Sequence, residues 1–145
     1  MSQSPQNFAN HAKLVPGFHY VLLPLAMVLL GWAGYNAFTS RTGESHIILL
    51  MAVAVFILGW YVRTFPLGVQ DRVIRLEEHL RMARVLPDDL KGRMGELTTD
   101  QIIGLRFAPD AELADLTRRV LGGEFADRKA IKAAVKNWRA DHERI

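Results

Sequence analysis

The sequence predicts an all-α protein: a transmembrane helical hairpin followed by an amphipathic helix and a small three-helix cytoplasmic domain. Three observations lead there. Two runs, Tyr20–Phe38 and Ser45–Val62, contain no formally charged residue. Of the 18 Lys and Arg and 15 Asp and Glu in the 145 residues, only Arg41 and Glu44 fall between Tyr20 and Val62. No segment alternates apolar and polar residues at the period of a strand, whereas the second half repeats apolar residues at helical spacing.

The N-terminal segment, residues 1–17, is polar and reads as cytoplasmic. The first span, 18–38, is long enough to cross a hydrocarbon core of about 30 Å. Pro24 interrupts it and is expected to kink it. It also argues against a cleaved leader, since no small-x-small site follows. A short periplasmic link, 39–45, holds Gly43, and a connection this brief demands an antiparallel hairpin.

The second span, 46–63, is rich in Leu, Ile, Val and Phe, each favourable by roughly 0.3–0.6 kcal/mol at a helix centre. Both runs are apolar on every side, and the charged remainder of the chain is too small to cover two such rods. Lys13, Arg63, Arg72, Arg75 and Arg81 lie on the side of the termini against Arg41 alone in the link, which places both termini in the cytoplasm. No Asp, Glu, Lys or Arg lies inside the spans, so no transport pathway is expected from this chain alone. Gly31, Gly34, Ala37, Ala52, Ala54 and Gly59 are candidates for close helix contact.

Thr64–Gly68 contains Pro66 and is expected to break the helix at the membrane exit. An amphipathic helix within 66–87 follows. In it Val69, Val73, Leu76, Leu80 and Ala83 recur at spacings of four and three, a heptad seam about two heptads long, with Arg72 and Glu77 flanking it. The sequence leaves three uses of this stripe open: a dimer seam, packing against the small domain, or contact with the bilayer. Ile74 and Met82 widen it toward a broader packing face. Pro87 ends the helix, and a Gly-punctuated linker covers Lys91–Glu96.

The cytoplasmic domain, 97–145, holds three short helices. Thr98 and Gln101 have the spacing of a capping box, with Leu97 and Ile102 as its apolar staple. The second helix opens at Pro109-Asp110, buries Leu113, Leu116 and Val120, and ends at Gly122-Gly123. Asp127 caps the last, whose apolar face is Ile131, Val135 and Trp138. Along it Arg128, Lys129, Lys132, Lys136 and Arg139 form a cationic stripe, a candidate contact for anionic lipid headgroups or phosphates. Residues Thr98–Ile145 carry nine cations and eight acids. That balance is too even for a nucleic-acid footprint.

The chain has no cysteine, which excludes disulfides, a thiolate nucleophile and a zinc knuckle. HExxH, GxSxG, Walker and GxGxxG motifs are also missing. Asp141-His142-Glu143 projects to different sides of a helix, and His79, between Glu78 and Arg81, is expected on an exposed face. No catalytic, cofactor-binding or metal-ligating residues are therefore assigned, and neither a cofactor nor a small-molecule substrate is expected.

Four stretches, QNFANHAKLVPGFHYVLLPL (Gln6–Leu25), QDRVIRLEEHLRMARVLP (Gln70–Pro87), LTTDQIIGLRFAPDAEL (Leu97–Leu113) and AIKAAVKNWRADHERI (Ala130–Ile145), resemble an uncharacterised bacterial family of small inner-membrane proteins with two spans. Some of its members carry transporter-permease names, which the uncharged spans here do not support. The resemblance implies a place in the bacterial inner membrane and assigns no site residues. It draws attention to Asn7, His11, Pro16, Gly17, Phe18 and His19, a segment expected to dock against the cytoplasmic helices.

The expected role is a non-enzymatic adaptor, scaffold or accessory subunit, partnered by the bilayer and by a second copy or another membrane protein. Two alternatives remain: a membrane-tethered helix-turn-helix-like regulator that binds nucleic acid through its basic C-terminal helix, and an accessory subunit of a transporter.

Overall fold

A computed structural model describes residues 5–10 and 13–141. Among them there are six α-helices and no strand. The chain divides into two compact units: the described residues of Met1–Lys13 with Gly68–Arg144, and Leu14–Leu67.

The apolar unit opens with a π-helical turn, Gly17–Leu22, that leads into α1, Leu23–Ser40. Pro24 sits in the first turn of α1, where the preceding π-helical turn continues the helix across its missing N–H. That turn ends at Leu22, just before the proline. α1 ends on Arg41, whose φ of 50° is left-handed. Thr42 and Ser45 then cap the next helix reciprocally, the Thr42 N–H donating to Ser45 Oγ at 3.1 Å and the Ser45 N–H to Thr42 Oγ1 at 3.2 Å. The link is thereby shorter than the sequence suggests, reduced to Arg41 and Thr42. Ala26, Ala33 and Ala37 on α1, with Ser45 and Ala52 on the next helix, are the buried positions of this unit. Gly31, Gly34 and Gly59, expected at a close contact, have nothing within 4 Å of where a Cβ would sit.

α2 runs unbroken from Gly43 to Val85 with Pro66 inside it. The expected break at Thr64–Gly68 does not occur. Proline removes one backbone donor, and the neighbouring turns on each side carry the helix across it. The boundary between the two units falls at this place, between Leu67 and Gly68.

The second unit packs the end of α2 against α3 (Asp88–Lys91), a 3₁₀ turn (Met94–Glu96), α4 (Thr99–Leu105), α5 (Asp110–Leu121) and α6 (Arg128–Ala134). The α3 helix and the 3₁₀ turn occupy what reads in the sequence as a turn and linker. Met82, Leu86, Ile102, Leu105, Phe107 and Leu113 are among its core residues, each at most 2% exposed. The capping box forms as its spacing predicts, with Gln101 N–H to Thr98 Oγ1 at 3.2 Å and Thr98 N–H to Gln101 Oε1 at 2.8 Å. Asp127 accepts from the Ala130 N–H at 2.7 Å and caps α6. α5 buries Leu113, Leu116 and Val120, as expected.

α6 stops at Ala134, short of the expected helix, because Val135 turns extended and the following amides find a partner outside the helix. Glu112 on α5 accepts the Lys136 and Asn137 N–H groups at 3.1 Å each, and the Asn137 side chain as well. Val135 remains buried and Trp138 half-buried, but they reach the core from an irregular strand of chain.

Candidate functional site

One face of α2 carries Ile74, Glu78, Arg81 and Met82, all buried, at spacings that align them along the helix. Two of the four are charged. Arg81 crosses to the loop after α4, where its Nη2 donates to the Ala108 carbonyl at 2.7 Å and to Asp110 Oδ1 at 2.6 Å. Its Nε reaches the same Asp110 oxygen at 2.8 Å, and its Nη1 donates to Glu78 Oε2 at 2.9 Å. The guanidinium thus satisfies a carbonyl just beyond the end of α4 and a carboxylate in the first turn of α5.

Glu78, 5% exposed, uses its other oxygen for Arg139, whose Nη1 lies 2.8 Å from Oε1. The Arg139 N–H donates to the Phe107 carbonyl at 2.8 Å, so this residue is fixed by backbone and side chain together. Arg106 is 4% exposed, pairs with Asp141 Oδ2 at 3.2 Å and stacks over Phe107 with Cζ 4.4 Å from the ring centroid. Lys132 Nζ lies 5.2 Å from the same ring, and Trp138 stacks on it at 4.5 Å.

These groups line a cleft of about 610 Å³ bounded by Ile74, Glu77, Glu78, Leu80, Arg81, Arg84, Arg106, Arg139, Ala140 and Asp141. Four arginines face it, balanced by Glu77, Glu78 and Asp141 on its wall and by Asp110 beside it. The arrangement is a near-neutral lattice in which Glu78, Arg81, Arg106, Arg139, Asp110 and Asp141 hold one another. Chemically it can clamp α2 to the α4–α5 loop and the C-terminal segment, and it can present guanidinium groups to an anion entering from solvent. Among the described residues no cluster of His, Asp and Glu is arranged to hold a metal ion.

The N-terminal segment also joins this unit. Gln6 pairs with the Asp141 backbone in both directions, Oε1 accepting its N–H at 2.8 Å and Nε2 donating to its carbonyl at 3.3 Å. Phe8 meets Trp138 edge-on at 6.5 Å. Gln6 and Phe8 thus meet the segment after α6, whereas Gly17, Phe18 and His19, expected to dock on the cytoplasmic helices, lie in the π-helical turn of the apolar unit. His11 lies outside the described residues, as do His142 and Glu143.

The cations singled out in the sequence are not gathered on one helical face. Arg128 pairs with Asp100 at 3.5 Å, Lys132 is buried, and Arg139 turns back to Glu78. Lys129 and Lys136 remain exposed. The seam residues Val69, Val73, Leu76 and Leu80 are 62, 48, 62 and 59% exposed, and Ala83 is exposed too. Ile74 and Met82 do not widen this seam; they belong to the opposite, packed face. His79 is half-buried, not exposed as expected, with Nε2 shielded from solvent.

Sequence reasoning missed the charge lattice. Its one legible signal was that Glu78 and Arg81 share the helical face of Ile74 and Met82, so that charges would be buried with an apolar stripe. Arg106, Asp110 and Arg139 carry no such signal, since their partners lie 29 and 61 positions away or sit in loops.

The architecture defines an all-α chain in which two helices, Gly17–Ser40 and Gly43–Val85, are long and apolar enough to cross a membrane, beside a compact helical unit held by an internal charge lattice. The chain belongs to DUF6526, a family of unknown function whose model matches residues 1–145. No curated protein and no solved structure matches the chain.

Proposed function

We propose that this protein is a membrane-anchored, non-enzymatic adaptor or scaffold. In this reading α1 and the first part of α2 cross the bilayer as a hairpin, and the charged helical unit stands on the cytoplasmic side. The observation that carries it is exposure. In the most apolar stretch of each long helix only 17% and 11% of residues are buried. The core helix of a soluble protein would be covered by its own chain. Here Leu25, Val28, Leu50, Met51, Leu58 and Trp60 all stand more than half exposed, a surface suited to lipid.

A second observation supports the topology. The helical unit draws on the chain both before and after the hairpin, Gln6 and Phe8 on one flank and Trp138 and Asp141 on the other. Segments that fold into one unit belong on one side of a bilayer, which requires an even number of crossings. The arginines that follow the second crossing favour the cytoplasm for that side, and the resemblance to small inner-membrane proteins supports a bacterial inner membrane. The non-enzymatic role rests on the cleft, where the buried ionised groups are engaged with one another. Burial of Lys132 and the Arg139–Glu78 pair weigh against a phosphate-binding C-terminal face.

Alkaline carbonate extraction of membranes that contain the full chain tests the anchor, and protease protection of tags at both ends tests the topology. The expected result is retention in the pellet with both tags accessible from the cytoplasmic side. Release by carbonate, or tags on opposite sides, would overturn the reading.

A further inference from the structure

Beyond Gly68, α2 has two faces with different fates. Ile74, Glu78, Arg81 and Met82 are buried in the helical unit. On the opposite side, Val69, Val73, Leu76, Leu80 and Ala83 are exposed, in an apolar line one to two residues wide. Because Ile74 and Met82 belong to the packed face, this line has the width of a coiled-coil seam. Its spacing puts Val73 and Leu80 at the a positions and Val69, Leu76 and Ala83 at d. Val73 at a followed by Leu76 at d is the combination that favours two strands, and Ala83 at d lets the helices approach closely.

The flanking charges choose the partner. This register places Arg72 at g and Glu77 at the following e, five residues on, the spacing at which side chains meet across a parallel two-stranded coil. Both are exposed, and no ion pair joins either to another described residue of its own chain. An anionic lipid surface would attract Arg72 and repel Glu77. A second copy satisfies both, twice over by symmetry.

We infer that two copies of this chain associate in parallel through Val69, Val73, Leu76, Leu80 and Ala83, with Arg72 of each copy paired to Glu77 of the other. The parallel direction rests on the membrane anchoring proposed above, because copies inserted the same way run α2 in the same sense. Anchoring also supplies what two heptads lack. Confinement to one bilayer raises the effective concentration of a short seam well above that of free chains.

The absence of cysteine gives a clean background for disulfide mapping. Single variants Val69→Cys, Val73→Cys, Leu76→Cys and Leu80→Cys in the full chain, oxidised in native membranes, should each form disulfide dimers. Arg75→Cys, exposed but off the seam, should not. Arg72→Glu or Glu77→Arg in the Leu80→Cys background should lower the cross-linked fraction about fivefold, and the two reversals together should restore it.

Cross-linking confined to Leu76→Cys would mean an antiparallel pair. Equal cross-linking at Arg75→Cys, or none along the seam, would remove the dimer. Failure of the membrane reading is seen separately, as wild-type chain in the soluble fraction, where the same variants still show whether the seam closes.

Discussion

Arg139 Nη1 lies 2.8 Å from Glu78 Oε1, a bond that ties the C-terminal segment to α2 across 61 positions of sequence. Glu78 is the shared acceptor of the lattice, since its second oxygen takes Arg81. A buried carboxylate between two guanidiniums differs from a surface pair. Its removal leaves cationic groups short of a partner in a place water reaches poorly. Glu78→Ala should therefore cost about 3 kcal/mol of stability. Arg139→Ala should cost less, about 1 kcal/mol, because that side chain is 49% exposed and water can replace it. Thermal unfolding of the full chain in detergent micelles, followed by circular dichroism, compares the two. Equal losses would mean that Glu78 acts only through Arg139.

Gly104 on α4 marks the closest approach of α6. A Cβ built there would lie 2.9 Å from Ile131 Cγ2 and 3.0 Å from its Cβ, with the Arg128 carbonyl at 3.4 Å. Ile131 is 1% exposed and has no room to retreat. Gly104→Ala should destabilise by about 1–3 kcal/mol despite alanine's better helix propensity. Gly68→Ala is the contrasting variant. Its site lies within α2 with nothing within 4 Å of the new methyl, so propensity alone acts and stability should rise by about 0.5–1 kcal/mol. The same melting experiment reads both, and a loss at Gly68 would show that α2 needs flexibility there.

Local signals were legible in the sequence. The Thr98–Gln101 box, the Asp127 cap and the Leu113–Leu116–Val120 face arise within a turn or two of chain, where spacing determines which groups can meet. The two apolar helices were legible for a similar reason, as charge is absent along their whole length. What escaped depends on distant partners. Pro66 reads as a breaker, yet a single missing donor does not end a helix supported on both sides. α6 reads as a longer helix because Ile131, Val135 and Trp138 keep helical spacing, but Glu112, more than twenty positions earlier, captures the amides that would continue it. Glu78 and Arg81 look like surface charges until Asp110 and Arg139 are brought to them.

That capture by Glu112 carries a pH dependence. Partial burial works to raise the Glu112 pKa, but the Asn137 side chain, the Lys136 and Asn137 amides and the Lys136 charge together outweigh it and hold the carboxyl below its ordinary value of 4.5. The folded chain thus binds the ionised form more strongly than the unfolded chain does. Its contribution is present in full above pH 4.5 and is lost as pH falls through the lower folded value. Acidification below pH 4.5 should loosen residues 135–137 ahead of the core, seen as faster hydrogen exchange at the Lys136 and Asn137 amides. Glu112→Gln should show fast exchange at neutral pH and lose the acid-dependent step. Persistence of that step in the variant would assign it to another carboxylate.

The docking of the N-terminal segment includes the Gln6–Asp141 backbone pairing and the edge of Phe8 against Trp138. Trp138 is in turn stacked on Phe107, which is fully buried, so this ring links the segment to the core. Gln6→Ala removes both amide bonds and leaves the Asp141 N–H to water; its exchange should quicken about tenfold, the loss expected for one hydrogen bond of about 1 kcal/mol or slightly more. Phe8→Ala removes the apolar contact and should release the segment further, raising exchange from residue 6 onward and shifting Trp138 fluorescence. The core should not respond, because Phe107 keeps its stacking partner and its flanking cations, so the melting temperature should stay near that of the wild type. A large drop in melting temperature for Phe8→Ala would instead make the N-terminal segment an integral part of the helical unit, folded with it and not laid on it afterwards.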